Sequence, residues 1–245
     1  MERKHFLKTG FSALGAVFVF PLMTACSKAA SLTGTDDGTG AGSSTGSSDC
    51  TVAPTETEGP FPTHSPAGYL RSDITDGKAG AKMTAKITIG NVNNSCAALA
   101  NAIVDIWHCD ADGNYSEYGG SGMQATNYQS AHFLRGRQVT DQNGLVTFNS
   151  IFPGWYSGRA THIHVHVYNQ AGNSLKVTQI AFPDALSKTV NSTGSAYGYK
   201  KGISGYTNNS SDNVFSDDKA GIELATVTGS LETGYELVIR LNVAA

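Results

Sequence analysis

The chain has 245 residues, of which 17 are Lys or Arg and 20 are Asp or Glu, so its formal net charge is −3 at pH 7. No basic tract suited to nucleic acid is present, and the mildly acidic balance argues only for solubility. Residues 51–245 are enough for one domain of ordinary size with a well-formed core.

Residues 1–26 have the features of an export signal. A basic start precedes an apolar run at residues 11–22, and Met23-Thr-Ala-Cys26 follows it. That last run resembles a bacterial lipobox, in which Cys26 carries lipid; ordinary cleavage is the alternative. The prediction is export to the bacterial cell envelope, periplasmic or outer surface, with membrane contact only through a lipid on Cys26. The choice between general and twin-arginine export stays open.

Residues 27–50 consist almost entirely of small and polar residues and predict a flexible tether. If Cys26 carries lipid, three cysteines remain for an oxidising compartment: Cys50, Cys96 and Cys109. Any of the three pairings is compatible with the sequence. The pair Cys96–Cys109 is slightly favoured, because the segment between them could fold back. None of the three has zinc-site spacing.

Extended segments rich in Val, Ile, Thr and aromatic residues recur between turn signals. They lie at residues 83–92, 102–108, 145–148, 161–168, 175–182, 222–228 and 235–242. No stretch has a sustained helical period. The pattern predicts an all-β domain, an antiparallel β-sandwich of about seven to nine strands with long connecting loops. Residues 187–218 are predicted as loop with room for one short helix.

The segment His162-Ile-His164-Val-His166 alternates polar and apolar residues, so its three histidines share one face of a strand. Imidazoles at positions i and i+2 of a rigid strand converge readily on a metal ion. Upstream, a Pro153-Gly154 turn brings Tyr156 to the same neighbourhood. A phenolate beside a His-x-His pair favours a hard, oxidised metal, because it is an anionic oxygen donor.

A second tyrosine, Tyr115, follows a strand and an Asp/Gly turn at residues 110–113. Taken alone, it is more typical of a loop aromatic with a structural partner. Tyr118 is an alternative ligand from the same segment. Without Tyr115, three histidines would instead suggest a zinc hydrolase or lyase. We interpret His166 as lying outside the ligand set or at the surface.

Taken together, these segments resemble the intradiol ring-cleaving dioxygenases, which open catechols between their two hydroxylated carbons. The resemblance spans about residue 56 to about residue 215. Within the family, the chain is similar to the exported, single-domain branch. Its motifs occur in order as Thr57-Glu-Gly-Pro-Phe61, Arg71-Ser-Asp-Ile74, Trp107…Gly113…Tyr115, Pro153-Gly…Tyr156 and His162-x-His164.

The resemblance implies a non-haem Fe(III) cofactor held by Tyr115, Tyr156, His162 and His164. It implies that Tyr156 also takes part in catalysis by accepting a substrate proton, and that Arg159 stabilises negative charge on the substrate. The expected partners are a small aromatic diol and O2, and the expected product is a muconate-type diacid. A simple or alkyl catechol is favoured over hydroxyquinol, and an oligomer is compatible with the sequence.

A non-catalytic, surface-tethered binding module is the alternative of a different class, because a β-sandwich alone does not define a function. The presence of both tyrosines, both histidines and Arg159 argues against it, since a binding module has no need of all five.

Overall fold

Two β-sheets make up most of the computed structural model, which describes residues 50–245. The all-β sandwich predicted from the sequence is confirmed, with nine strands and one α-helix in the described residues. The strands are β1 (Lys82–Asn91), β2 (Ala97–Ala98), β3 (Ile103–Trp107), β4 (Arg135–Val139), β5 (Leu145–Ile151), β6 (His162–Tyr168), β7 (Ser174–Ala181), β8 (Thr226–Ser230) and β9 (Gly234–Val243). The helix α1 (Asp184–Thr193) follows β7.

The five-stranded sheet has the order β2-β1-β9-β8, with β5 also paired to β1, and the four-stranded sheet has the order β4-β3-β6-β7. One pairing departs from the predicted antiparallel arrangement: β1 and β9 run parallel, from Met83 opposite Tyr235 to Asn91 opposite Val243. These are the first and last strands of the domain. The whole intervening chain serves as their connection, so no hairpin constrains their direction.

One hydrophobic core lies between the sheets and takes its side chains from both. Alternate residues are buried along β1 and β9, as strand geometry requires. The core residues of β6 are Ile163, Val165 and Val167. Alternation therefore directs the side chains of His162 and His164 to the opposite face of the four-stranded sheet, where both are nevertheless buried.

The main elements absent from the sequence prediction are β4 and the two-residue β2. The β4 segment contains Arg135, Arg137 and Gln138, so it lacks the apolar alternation that marks a half-buried strand. The structure explains the polarity, because Arg137 makes two hydrogen bonds to Asp105 on the neighbouring strand. The β8 strand begins at Thr226 rather than at residue 222, although Ala181 already pairs with this segment.

The slightly favoured disulfide Cys96–Cys109 is wrong. Cys50 and Cys96 form the disulfide, with their Cα atoms 5.6 Å apart. Cys109 is free and buried. It packs with Trp107 and Tyr115 inside the molecule, whereas Cys96 lies in the β1–β2 connection, which the start of the domain can reach.

The predicted signal and nearly all of the predicted tether lie in residues 1–49, outside the described residues. Within residues 50–245 no helix combines the length and the apolar character that crossing a membrane would need.

Candidate metal centre

The side chains of His162 and His164 meet on β6, where their Nε2 atoms are 3.1 Å apart. Each residue is only 1% exposed. The strand is central in its sheet, so β3 and β7 hold it from both sides: His164 lies opposite Trp107 on one neighbour and Gln179 on the other. The spacing of the two imidazoles is therefore set by the strand.

The His162 ring is held in one orientation by a backbone group. Its Nδ1 atom lies 2.6 Å from the carbonyl oxygen of Ala160, an acceptor, so Nδ1 carries the proton and donates it. The Nε2 lone pair is then free to bind a metal. Burial, assisted by the charge of Arg159, lowers the pKa of His162 to about 3, so the ring is neutral at physiological pH.

The His164 ring is stacked on the indole of Trp107, with centroids 4.9 Å apart and planes 3° from parallel. On another side it contacts Gly59, where a Cβ atom would lie 3.0 Å from the imidazole Cε1. Gly59 has φ +69°, so both its backbone and its missing side chain suit this close approach. Burial lowers the pKa of His164 well below its usual value, and its Nδ1 has no hydrogen-bond partner among the described residues.

Tyr115 brings its hydroxyl to 3.2 Å from Nε2 of His162. The residue is fully buried, and its ring stacks on Phe61 at 4.7 Å between centroids. Gln124 fixes the backbone here, since it accepts from the Tyr115 N–H and donates to the Tyr115 carbonyl. Burial raises the pKa of Tyr115, so its phenolate requires a compensating cation close by.

Tyr156 lies edge-on to both Tyr115 and His162, with ring centroids 5.8 and 5.5 Å away. The turn before it depends on Gly154, where a Cβ atom would lie 2.5 Å from the carbonyl oxygen of Ala111. Burial raises the pKa of the Tyr156 hydroxyl, and the positive charge of Arg159 opposes that rise.

Arg159 is buried beside this group and is held by two side chains. Its Nε donates to Asp212 Oδ2 at 2.9 Å, and its Nη2 donates to Gln179 Oε1 at 2.7 Å. Together with Tyr156 it borders a cleft of about 460 Å³. This cleft also contacts Gly59, Pro60 and Met123, so the segment that follows Thr57 forms part of its wall.

The remaining candidates from the sequence have other partners. His166 bonds to Tyr168 and Ser174, and its Nδ1 lies 3.0 Å from a carboxylate oxygen of Glu58. The hydroxyl of Tyr118 donates to the carbonyl oxygen of Pro62. The structure therefore brings together the four predicted ligand residues and Arg159, and gives Tyr118 and His166 separate contacts.

Sequence reasoning missed Asp212 and Gln179. Gln179 lies in a predicted strand, and its position opposite His164 would follow if the register of β6 and β7 were known. Asp212 lies in a polar connection, and no sequence signal distinguishes it from neighbouring aspartates.

The donor set fits a hard, oxidised cation. Two neutral imidazoles and the phenol of Tyr115 meet in the interior with the ring of Tyr156 beside them, and the phenols can supply the anionic oxygens that such an ion favours. Within residues 50–245 no three His, Cys, Asp or Glu side chains converge as a metal site. The histidine-only zinc site considered from the sequence is thus not found among these residues.

Comparisons with known proteins agree with this picture. A family model described as Dioxygenase matches residues 58–213, which include both tyrosines, both histidines and Arg159. Chlorocatechol 1,2-dioxygenase of Rhodococcus opacus is 28% identical over 109 residues, which cover 37% of this chain and 40% of that enzyme. The matched region thus spans less than half of that enzyme's length.

Solved structures extend the similarity to most of the described residues. An intradiol ring-cleavage dioxygenase from Tetranychus urticae superposes with a TM-score of 0.67 and 28% identity, covering 80% of this chain and 95% of that one. The dioxygenase domain of a dioxygenase carbohydrate-binding protein fusion from Streptomyces sp. SirexAA-E shares the fold, with a TM-score of 0.57 and 23% identity, covering 80% of this chain and 99% of that one. The chain belongs to the intradiol ring-cleavage dioxygenase family.

Proposed function

We propose that the protein is a non-haem Fe(III) dioxygenase that cleaves a catechol-type aromatic between its two hydroxylated carbons. Both atoms of O2 would enter the product, a muconate-type diacid. The observation that carries the proposal is that Nε2 of His162 lies 3.1 Å from Nε2 of His164 and 3.2 Å from the Tyr115 hydroxyl. All three side chains are buried, and they lie beside Tyr156 and Arg159. Tyr115, Tyr156, His162 and His164 would hold the iron.

When bound, Fe(III) would draw electron density from a chelated diol and make its ring susceptible to O2. The protein's own groups prepare the site for this chemistry. The backbone at Ala160 keeps the proton of His162 on Nδ1, and the stacked indole of Trp107 fixes the plane of His164. These two contacts would hold both imidazoles ready for a metal ion.

Tyr156 and Arg159 are placed to manage protons and charge. Tyr156 borders the cleft and, as the phenolate that bound iron would stabilise, would accept a proton from a substrate hydroxyl, which otherwise must leave through water. The Arg159 guanidinium borders the same cleft and favours negative charge there. Because both residues are largely shielded from water, the electrostatic interaction is stronger than it would be at the surface.

The lining of the cleft supports a simple or alkyl-substituted catechol as substrate. Among the residues that border it, Arg159 is the one cation, and that cation is already paired with Asp212. Pro60 and Met123 supply apolar surface. No second cation is therefore free in this cleft to bind a ring carboxylate.

The visible absorption spectrum of the iron-loaded protein tests the proposal. We expect a broad tyrosinate-to-iron(III) charge-transfer band that shifts when catechol is added without oxygen, followed by consumption of catechol and O2 in equal amounts when air is admitted. A colourless protein that retains stoichiometric zinc, or one that binds no iron, would refute the function.

Export remains a proposal that rests on residues 1–26. If Cys26 is lipidated, the protein expressed in bacteria should incorporate labelled palmitate and partition into the membrane fraction, and the Cys26→Ala variant should do neither.

A further inference from the structure

Asp212 is a fully buried carboxylate in the connection between α1 and β8. Its Oδ1 accepts from the backbone N–H of Val214 at 2.8 Å. Its Oδ2 accepts two further hydrogen bonds, from Arg159 Nε at 2.9 Å and from the backbone N–H of Ala160 at 2.6 Å. One side chain thus joins this connection to the loop that precedes β6.

The hydrogen bond between Asp212 and Arg159 determines where the guanidinium of Arg159 lies. Asp212 bonds Nε and Gln179 bonds Nη2, so two partners fix the plane of the group. The Nη1 atom takes part in neither of these two bonds, and Arg159 borders the cleft. An arginine so deeply buried also needs a counter-charge, which only Asp212 supplies among the ion pairs of the described residues.

The hydrogen bond between Asp212 and Ala160 acts on His162, a proposed metal ligand, through Ala160. Ala160 donates its N–H to Asp212, and its carbonyl oxygen accepts the Nδ1 proton of His162 at 2.6 Å. The position of that carbonyl decides which nitrogen of His162 carries the proton. A bond that holds Ala160 therefore keeps Nε2 unprotonated and directed at the other ligand atoms.

We propose that Asp212 is a positioning residue that aligns two parts of the centre at once, the guanidinium of Arg159 and the proton-bearing nitrogen of His162. The part that concerns Arg159 rests on the proposed function, because its readout is turnover. The part that concerns His162 does not, because the tautomer exists in the iron-free protein.

The variant Asp212→Asn is nearly isosteric and removes the charge. Its control is Asp217→Asn, an exposed aspartate in the same segment. In the iron-loaded full chain we expect Asp212→Asn to lower kcat by about 10- to 100-fold with KM changed by less than about threefold, and to speed iron loss to a chelator by a similar factor. Asp217→Asn should match the wild type in all three quantities.

A double-variant cycle separates the two effects. If Asp212 aligns Arg159, adding Asp212→Asn to Arg159→Met should lower kcat by no more than about twofold further, while iron loss still accelerates. The double variant also leaves no unpaired buried charge, so it remains informative if Asp212→Asn alone does not fold.

The tautomer of His162 is read by 1H–15N NMR of the iron-free full chain. We expect protonation at Nδ1 in the wild type and in Asp217→Asn, and a mixture of Nδ1 and Nε2 forms in both chains that carry Asp212→Asn. If His162 keeps a single Nδ1 proton without Asp212, and the single variant keeps its kcat, the proposal is overturned. If the wild type fails to cleave catechols but Asp212→Asn still changes the tautomer of His162, the function is refuted and the His162 alignment is supported.

Discussion

Glu223 tests whether burial keeps a carboxyl group protonated in the folded protein. The residue is fully buried, Thr178 donates to its Oε1 at 3.1 Å, and its Oε2 has no hydrogen-bond partner among the described residues. Burial, and after it repulsion from Glu56 and Asp218, raises the pKa of Glu223 from 4.5 to about 8. The carboxyl is therefore protonated in the folded protein at neutral pH, although it would be ionised in the unfolded chain.

The direction of the effect on stability follows from proton counts. Between pH 4.5 and about 8 the folded state binds one more proton at this site than the unfolded state, so the free energy of unfolding falls as the pH rises. At about 1.4 kcal/mol for each unit of pKa, the whole loss is about 5 kcal/mol. About 2.5 kcal/mol of it falls between pH 6 and pH 8.5.

The substitution Glu223→Gln keeps the shape and removes the titration. Urea unfolding should show a variant that is more stable than the wild type by about 2 kcal/mol at pH 6 and by about 4.5 kcal/mol at pH 8.5, so that the difference widens by about 2.5 kcal/mol. The control is Glu232→Gln, an exposed glutamate, which should follow the wild type at both values. If Glu223→Gln also runs parallel to the wild type, Glu223 is ionised in the folded state and the reasoning is wrong.

Three further variants test the centre and the framework that holds it. Tyr115→Phe should lose most of the visible band and at least about 100-fold in activity, whereas Tyr118→Phe, whose hydroxyl serves only a backbone carbonyl, should keep both. Cys96→Ser should lower the free energy of unfolding in urea by about 4 kcal/mol, because it frees a loop of 46 residues. Gly154→Ala would place its Cβ 2.5 Å from a backbone oxygen and should cost about 1–3 kcal/mol in urea and weaken iron binding, whereas Gly68→Ala has open space and should change both little.

Two of the strands that sequence reasoning located correctly, β1 and β9, alternate in burial over most of their length. In these two strands the buried positions follow the period of two until the last few residues, so local pattern and tertiary packing agree. In β4 the pattern fails because Arg135 is buried by hydrogen bonds to backbone and hydroxyl oxygens rather than by apolar contacts. A polar strand of this kind is recognisable only once its partners are known.

The pairing of the cysteines could likewise not be predicted from a local sequence pattern. The separation of Cys96 and Cys109 made a local bridge plausible, but spacing says nothing about which way a side chain points. Cys109 packs inside the molecule, and the partner of Cys96 lies 46 residues earlier. That choice depends on where the chain enters the sandwich, which is a property of the assembled sheets.

The residues of the candidate site also differ in whether a local sequence pattern could predict them. His162 and His164 were found because a strand places residues i and i+2 on one face, and the two tyrosines because each stands at a fixed distance from a turn and within a family motif. Asp212 reaches its partners from a separate connection, and its importance lies in bonds to Arg159 and Ala160 more than 50 residues earlier. The predicted ligands thus follow from local patterns, whereas the contacts of Asp212 depend on the assembled fold. Substitutions at Asp212 should accordingly alter the behaviour of the centre while every ligand residue remains in place.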